Sequence, residues 1–117
     1  MRELAHLYID QNRHDEADQL LIKAMKSARH ELGNEHQHTV SLVNSLAVLR
    51  TKQEHYDEAN RLFKEALVSR KLKLGEDHPG TLETINDLGV LHRQQKKYDE
   101  AKSLLRQALE GRQRKLG

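Results

Sequence analysis

The apolar residues of this chain recur at the spacing of an amphipathic helix. Between positions 56 and 74 they follow the i, i+3, i+4, i+7, i+8 pattern of one helix face. They are Ala59, Leu62, Phe63, Ala66 and Leu67. A second periodic segment precedes them and contains Val43, Leu46, Ala47 and Leu49. The two segments together predict a pair of helices joined by a short turn.

This pattern occurs three times at a fixed period. The phrase Asp-Glu-Ala begins at positions 15, 57 and 99, so each copy starts 42 residues after the one before it. His36 and His78 keep the same offset, as do Asn44 and Asn86. Such a period is typical of solenoids, in which each repeat buries its apolar face against its neighbours. We therefore predict an all-α fold of three antiparallel helix pairs.

The predicted helices cover residues 1–12 and 14–32, 38–53 and 55–74, and 80–95 and 97–116. They form one domain over residues 1–117, with a first repeat at 1–32 that lacks its N-terminal part, a second at 33–74 and a third at 75–117. No polar helix that could cap the stack is visible, although solenoids normally need one. We therefore expect the chain to be a segment of a larger protein.

The ends of the predicted helices carry ordinary stop and start residues. Gly33 and Gly75 follow the last apolar residue of a second helix, as expected of a left-handed C-terminal cap. Thr39 and Thr81 are plausible N-caps of the helices that follow. Acidic residues begin each second helix and basic residues, including Arg70, end it, which suits the helix dipole.

Small and aromatic residues lie at positions where helices should pack. Alanines near the start of each second helix, together with Ala5, Ala47 and Gly89 on the first helices, would let two backbones approach closely. Gly111 falls in the middle of a helix and is expected to be a weak point. The aromatic residues are assigned to packing between helices and are Tyr8, Tyr56, Phe63 and Tyr98.

The composition argues against several classes of function. The chain has no cysteine, so it cannot form disulfides or the usual zinc sites. His30, His36 and His38 lie close in sequence and invite a metal hypothesis, but the recurrence of His36 as His78 points instead to a capping or turn role. No catalytic motif is present, and we expect no enzyme activity and no cofactor.

Charge and hydropathy indicate which ligands and which cellular location to expect. Charged residues make up 32% of the chain and aromatic residues 3%, with a formal net charge of +2 and both signs interspersed. A nucleic-acid ligand would call for a basic block and stacking aromatics, so none is expected. No segment is apolar enough to cross a membrane or to serve as a signal peptide. The chain is expected to be cytoplasmic.

The repeats resemble the tetratricopeptide family, and specifically the longer repeat of the kinesin light chain type. The resemblance covers essentially the whole chain. It is carried by a linker motif, a pair of small residues and the phrase Tyr-Asp-Glu-Ala, as in LGEDHPGTLETINDLGVLHRQQKKYDEAKSLLRQALEGRQRKLG at positions 74–117. The first repeat departs from the pattern at two places. Gln37 and His38 replace the Pro-Gly of the later linker, and His14 occupies the position that is tyrosine in the other two repeats.

The resemblance implies a right-handed superhelix whose first helices line a concave groove that binds a peptide or a partner helix. The groove positions implied for the second and third repeats are Ser41, Asn44, Val48, Thr51, Lys52, Glu83, Asn86, Val90, Arg93 and Gln94. Those of the first repeat would be Arg2, His6, Ile9 and Asp10.

The two asparagines also support a groove on physical grounds. An asparagine is unfavourable inside a helix, yet its amide can donate to and accept from a peptide backbone at once. Alternatively, Asn44 and Asn86 bond a neighbouring helix in a ladder from repeat to repeat. For the whole chain, the favoured interpretation is a protein-binding scaffold or adaptor module. The alternative is a structural spacer whose exposed repeat ends stack into homo-oligomers.

Overall fold

The computed structural model describes residues 2–10 and 13–116, except for the side chains of His6 and of residues 8–10. The described part contains helices and no strands. The helices are α1 (Arg2–Asp10), α2 (His14–Leu32), α3 (Gln37–Lys52), α4 (Tyr56–Leu74), α5 (Pro79–Gln94) and α6 (Tyr98–Leu116). The prediction of an all-α fold built from successive helices is confirmed. The predicted ends of α2 to α6 lie within one residue of these bounds, whereas those of the first helix, at 1 and 12, lie outside the described residues.

The chain forms two compact units, Met1–Leu62 and Phe63–Gly117. The division falls inside α4, which contributes its first turns to one unit and the rest to the other. In the first unit, α1, α2 and α3 pack against one another. In the second unit, α5 packs along α6.

The core of the first unit is built from the predicted apolar faces. Val43, Leu46 and Leu49, which were predicted to lie on one apolar face, are buried. Ala5 and Ala47 are also fully buried, which confirms their prediction as small packing residues. Removing apolar surface from water is the main source of stability for such helices, because short helices are only marginally stable in isolation.

The core of the second unit lies between α5 and α6. Leu82 and Ile85 of α5 meet Ala108 of α6, and Leu67 and Leu104 pack against this cluster. Gly89 supports the close approach of α5 to α6. A Cβ atom at this position would lie 2.9 Å from both Cγ and Cδ2 of Leu105. The prediction that Gly89 is a packing residue is therefore confirmed.

Gly111 was expected to be a weak point of the last helix, and this prediction is wrong. Gly111 is buried on the face of α6 that meets α5. A Cβ atom there would lie 2.5 Å from Cδ2 of Leu82, which is closer than van der Waals contact allows. The glycine therefore allows Leu82 to pack directly against the backbone of α6.

The helices α3 and α5 are each capped at the N-terminus by a histidine. The Nδ1 atom of His36 accepts a hydrogen bond from the backbone N–H of His38 at 3.1 Å, and Nδ1 of His78 accepts from Gly80 at 3.0 Å. The predicted capping or turn role of these histidines is confirmed. The prediction that Thr39 and Thr81 are N-caps is wrong, because both lie inside the first turn and are fully buried.

Two kinds of turn separate the helices. Gly33 and Gly75 have φ values of 91° and 93°, which confirms the expected positive φ, but Gly33 has a ψ of 163° and is extended rather than left-handed helical. The left-handed caps lie within the helix pairs instead, at Glu54 and Lys96 with φ values of 62° and 63°. At the first of these, the N–H of His55 donates to the carbonyl of Arg50 at 2.8 Å, as in a Schellman cap.

Replacing His78 by alanine should lower the free energy of unfolding by about 1 kcal/mol, the usual cost of losing an N-cap. Asparagine supplies an oxygen acceptor at the same place, so His78→Asn should keep most of the stability. Urea unfolding followed by circular dichroism would measure both. Equal losses in the two variants would show that the cap hydrogen bond is not what His78 contributes.

Candidate functional site

The predicted groove positions of the third repeat share one face of α5. Their spacing repeats every three to four residues, as required of residues on one side of a helix. Arg93 and Gln94 are exposed, and the others are half-buried. These half-buried positions are Glu83, Asn86 and Val90. The face of α5 therefore presents polar groups and one apolar side chain to solvent.

The equivalent face of α3 is less accessible. Ser41 and Val48 are half-buried and Lys52 is exposed. Asn44 and Thr51 are buried, with 4% and 5% of their surfaces exposed. The hydroxyl of Thr51 donates to the carbonyl of Ala47 at 2.9 Å, so it is satisfied within its own helix. The structure thus leaves three of the five predicted positions of α3 open to a ligand.

The two asparagines, which hold the same place in successive repeats, have different surroundings. Asn86 is half-buried, and its side chain makes no hydrogen bond to the residues that the structure describes. Asn44 is almost fully enclosed. Asn86 is thus accessible to a ligand, whereas Asn44 is largely closed to one. Of the positions implied for the first repeat, Arg2 is half-buried, whereas the side chains of His6, Ile9 and Asp10 lie outside the described residues.

Arg50 lies near the C-terminal end of α3 and was not predicted to have a special role. Its guanidinium donates to Glu58 at 2.9 Å, to Gln53 at 2.7 Å and to Asp18. Burial tends to lower the pKa of Arg50, but the bonds to Glu58 and Asp18 outweigh it and raise the pKa. The network joins α2, α3 and the start of α4, and it leaves Lys52 as the accessible cation of this face.

His92 takes the place of Arg50 in the third repeat. Burial and the nearby charge of Lys97 lower the pKa of His92, although Glu100 opposes the shift. The lowered pKa favours the neutral form of the imidazole. Arg93, its exposed neighbour, carries the positive charge at this end of α5.

Glu83, at the other end of the α5 face, is linked to the end of α4. Nη1 of Arg70 lies 3.3 Å from a carboxylate oxygen of Glu83. From the sequence, Arg70 was expected to interact with the helix dipole. In the structure it is buried, and it links the end of α4 to the start of α5 by donating to the carbonyl of Gly80 and the hydroxyl of Thr84. Its main role is therefore to position the start of α5.

A bidentate ion pair joins the linker to α6. Nε and Nη2 of Arg114 donate to the two carboxylate oxygens of Asp77 at 2.9 and 2.8 Å. The hydrogen bond from Arg114 lowers the pKa of Asp77. Arg114 is one of the basic residues in the last turn of α6, and its guanidinium also meets a carboxylate of its own chain.

The pairing of Asp77 with Arg114 should make stability depend on acid pH. Since the pKa of Asp77 is lower in the folded chain than in the unfolded chain, its contribution is complete above the ordinary carboxyl pKa. It disappears as the pH falls through the lowered value. In a pH titration of the Asp77 carboxyl carbon by NMR, Arg114→Gln should move the pKa back up toward the ordinary value. An unchanged pKa in this variant would refute the assignment.

No metal or membrane site is evident in the part of the chain that the structure describes. Across residues 2–10 and 13–116, no three side chains of His, Cys, Asp or Glu converge to hold a metal ion. Among the described helices, none has a stretch long and apolar enough to span a bilayer. The accessible polar faces of the first helices are thus the candidate site.

The sequence matches the family model of the tetratricopeptide repeat over residues 1–71 and 67–114. A search of the curated proteins found no significant match. Among solved structures, the chain is similar to BtubC (BKLC) from P. vanneervenii, with 28% identity, a TM-score of 0.86 and coverage of 95% of this chain and 44% of that one.

The chain is also similar to a protein of Podosopora anserina described as a kinesin light chain with nearly identical TPR-like repeats. Here the identity is 23% and the TM-score 0.88, with coverage of 99% of this chain and 55% of that one. A point variant of the same protein gives 23% identity, a TM-score of 0.86 and the same coverage. The chain thus spans about half the length of the structures that it matches.

These findings settle the class of protein that the helix pairs define. The chain belongs to the tetratricopeptide repeat family, and its 42-residue repeats have the fold of the TPR-like repeats in the Podosopora anserina protein. Repeats of this family generally mediate protein–protein interaction.

Proposed function

We propose that this chain is a scaffold or adaptor module that binds an extended peptide or a partner helix through the exposed faces of its first helices. The observation that carries the proposal is the face of α5, where Asn86, Val90 and Gln94 are accessible on one side of the helix. Each face is a candidate by itself, α3 in the first unit and α5 in the second. The proposal includes a cytoplasmic setting and neither catalysis nor nucleic-acid binding.

The chemistry of the α5 face suits a peptide. The amide of Asn86 can donate and accept at once, so it can satisfy a backbone N–H and a carbonyl of a ligand. Val90 offers apolar contact, and Gln94 offers a second amide. Such a face holds a peptide mainly through its backbone, with charged residues at either end adding selectivity.

A displayed library of random 12-residue peptides, selected on the immobilised chain, would provide a ligand for the test. The affinity of a selected peptide is then measured by fluorescence anisotropy. Asn86→Ala with Gln94→Ala should weaken binding about tenfold or more if α5 supplies the face, equivalent to losing two hydrogen bonds. Ser41→Ala with Lys52→Ala tests α3 in the same way.

The matched control exchanges exposed residues of the second helices, Gln19→Ala with Lys64→Ala. This control should bind like the parent chain. If it loses affinity while both first-helix variants bind normally, the ligand lies on the second helices and the proposal is wrong. Recovery of no specific peptide from the selection would also count against it.

Self-association through the repeat ends is the second candidate. It is favoured by the exposure of Leu4 and Leu7 on α1, at 41% and 50% of their surfaces. Sedimentation equilibrium over a range of concentrations distinguishes the two functions. Stacking makes the average mass rise with concentration, whereas a peptide-binding monomer keeps a constant mass.

A further inference from the structure

His92 lies near the C-terminal end of α5, where the chain turns into α6. Its side chain is half-buried, and its Nδ1 atom is shielded from solvent without a hydrogen-bond partner in the part of the chain that the structure describes. The turn closes on the same residue, because the backbone N–H of Lys97 donates to the carbonyl of His92 at 2.9 Å. The imidazole is therefore held at the junction between the two helices.

The charged groups that act on His92 come from three elements of the second unit. Lys97 lies in the turn, Glu100 in the first turn of α6 and Lys64 on α4. Burial and the two lysines disfavour a positive charge on the imidazole, whereas Glu100 and the side chain of Gln95 favour it. Two fixed cations thus oppose one carboxylate around a side chain that can itself become a cation.

The equivalent site of the second repeat has the opposite balance of charge. Arg50 takes the place of His92 there, and its guanidinium donates to the carboxylates of Asp18 and Glu58. A permanent cation is therefore neutralised by two anions. This arrangement shows that the position accepts a buried positive charge when carboxylates surround it.

The third repeat lacks this compensation. Glu100 keeps the place of one carboxylate, but the other is replaced by an amide, at Asn60. Both lysines are also new, since the chain has isoleucine and histidine 42 positions before Lys64 and Lys97. The substitutions together convert a site that holds a cation into one that disfavours a cation.

A proton on His92 would add a second cost. The imidazolium has an N–H donor on each ring nitrogen, so Nδ1 would carry a charged donor in a place where no acceptor lies within reach. An unsatisfied buried group costs free energy, and the cost is larger when the group is charged. In the unfolded chain, water solvates the charged ring. Protonation therefore favours opening of the junction.

We propose that the junction of α5 and α6 around His92 is a proton-sensitive joint, which holds the two helices together while the imidazole is neutral and weakens on mild acidification. The apolar core of the second unit lies between these helices, so weakening the joint lowers the stability of that unit. The proposal concerns the fold alone and does not rest on the ligand proposed above.

The direction of the pH dependence follows from the pKa of His92, which burial and Lys97 lower from its ordinary value of 6.5. The folded chain binds this proton more weakly than the unfolded chain does. Well above pH 6.5 the imidazole is neutral in both states, and its contribution to stability is complete. The contribution is lost as the pH falls through the lowered value.

Urea unfolding, followed by circular dichroism over about pH 5 to 8, tests the proposal, because histidine is the side chain that ordinarily changes charge in this range. His92→Gln keeps a polar side chain that does not titrate. Its urea midpoint should therefore fall less on acidification than that of the parent chain. The control variant, His30→Gln, replaces an exposed histidine of α2 and should show the same fall as the parent.

A titration of the ring of His92 by NMR checks the cause. Its pKa in the folded chain should lie below 6.5. Glu100→Gln should lower it further, whereas Lys97→Met should raise it. On acidification, the unfolding constant of the parent should rise more than that of His92→Gln, by a factor that the measured pKa of His92 sets through linkage.

Two results would overturn the proposal. One is a pKa of His92 at or above the ordinary value, and the other is an equal loss of stability on acidification in the parent and in His92→Gln. If His92→Gln does not fold, Lys97→Met provides the same test with the histidine in place. Removing one opposing charge should make stability less dependent on pH, and an unchanged dependence would contradict the proposal.

Discussion

Replacing Gly111 by valine should lower the free energy of unfolding by about 2–3 kcal/mol. A Cβ atom at this position would lie 2.5 Å from Cδ2 and 3.2 Å from Cδ1 of Leu82, which is itself buried in the core of the second unit. Valine has a better helix propensity than glycine by only a few tenths of a kcal/mol. Overpacking in a core costs about 1–3 kcal/mol, so the steric effect outweighs the gain in propensity.

Urea unfolding followed by circular dichroism measures this loss, and Ser103→Val on an exposed part of α6 is the matched control. The control should stay within about 0.5 kcal/mol of the parent. Leu82→Ala removes the side-chain atoms that would clash with a valine at position 111. In the double variant, Gly111→Val should therefore cost less stability than it does in the parent chain. Strictly additive losses would mean that Gly111 does not contact Leu82.

Removing the guanidinium of Arg70 should cost about 2–3 kcal/mol. In Arg70→Met the apolar stem is largely retained, but the carbonyl of Gly80 and the hydroxyl of Thr84 lose donors at 2.8 and 2.9 Å. Hydrogen bonds to charged groups each contribute about 1.5–3 kcal/mol, and the loss is moderated because the hydroxyl of Thr84 itself donates to the carbonyl of Gly80 at 3.4 Å. Loss of these bonds should also make the first turn of α5 and the linker before it less ordered.

The third repeat supplies the control for this change. Arg112 lies 42 positions after Arg70, but it is exposed on the outside of α6. Arg112→Met should therefore alter stability by no more than about 0.5 kcal/mol. Equal effects of the two substitutions in urea unfolding would show that the buried hydrogen bonds of Arg70 contribute little.

The period of 42 residues was sufficient to predict the helices. Their ends are marked by glycines, histidines and charged residues that recur at fixed offsets, and their faces are marked by alanine and leucine at helical spacing. Because both signals repeat, an ambiguous residue in one repeat is compensated by its equivalents in the others, and the bounds of α2 to α6 could be predicted to within one residue.

Predictions for individual side chains failed where packing between helices decides the outcome. Low helix propensity alone predicted that Gly111 would be a weak point of α6, because the sequence does not reveal that Leu82 packs against it. Capping preference favoured Thr81, but its hydroxyl instead donates to the carbonyl of Gly75 at 2.8 Å. Tyr98 was expected to pack between helices and is 62% exposed, so that prediction is also wrong.

The candidate site shows the same limit. Asn44 and Asn86 have the same residue type and the same position in the repeat, yet Asn44 is enclosed and Asn86 is accessible. A periodic sequence assigns both to one role, whereas burial depends on which elements surround each helix.

The proposed function requires a ligand to bind the first helix of at least one pair. Chemical-shift mapping of the ¹⁵N-labelled chain during titration with a library-selected peptide would locate the ligand. The largest shifts should fall on α3 or α5, centred on the accessible positions around Val48 and Lys52 or around Asn86 and Val90. Shifts confined to the exposed faces of α2 and α4 would contradict it.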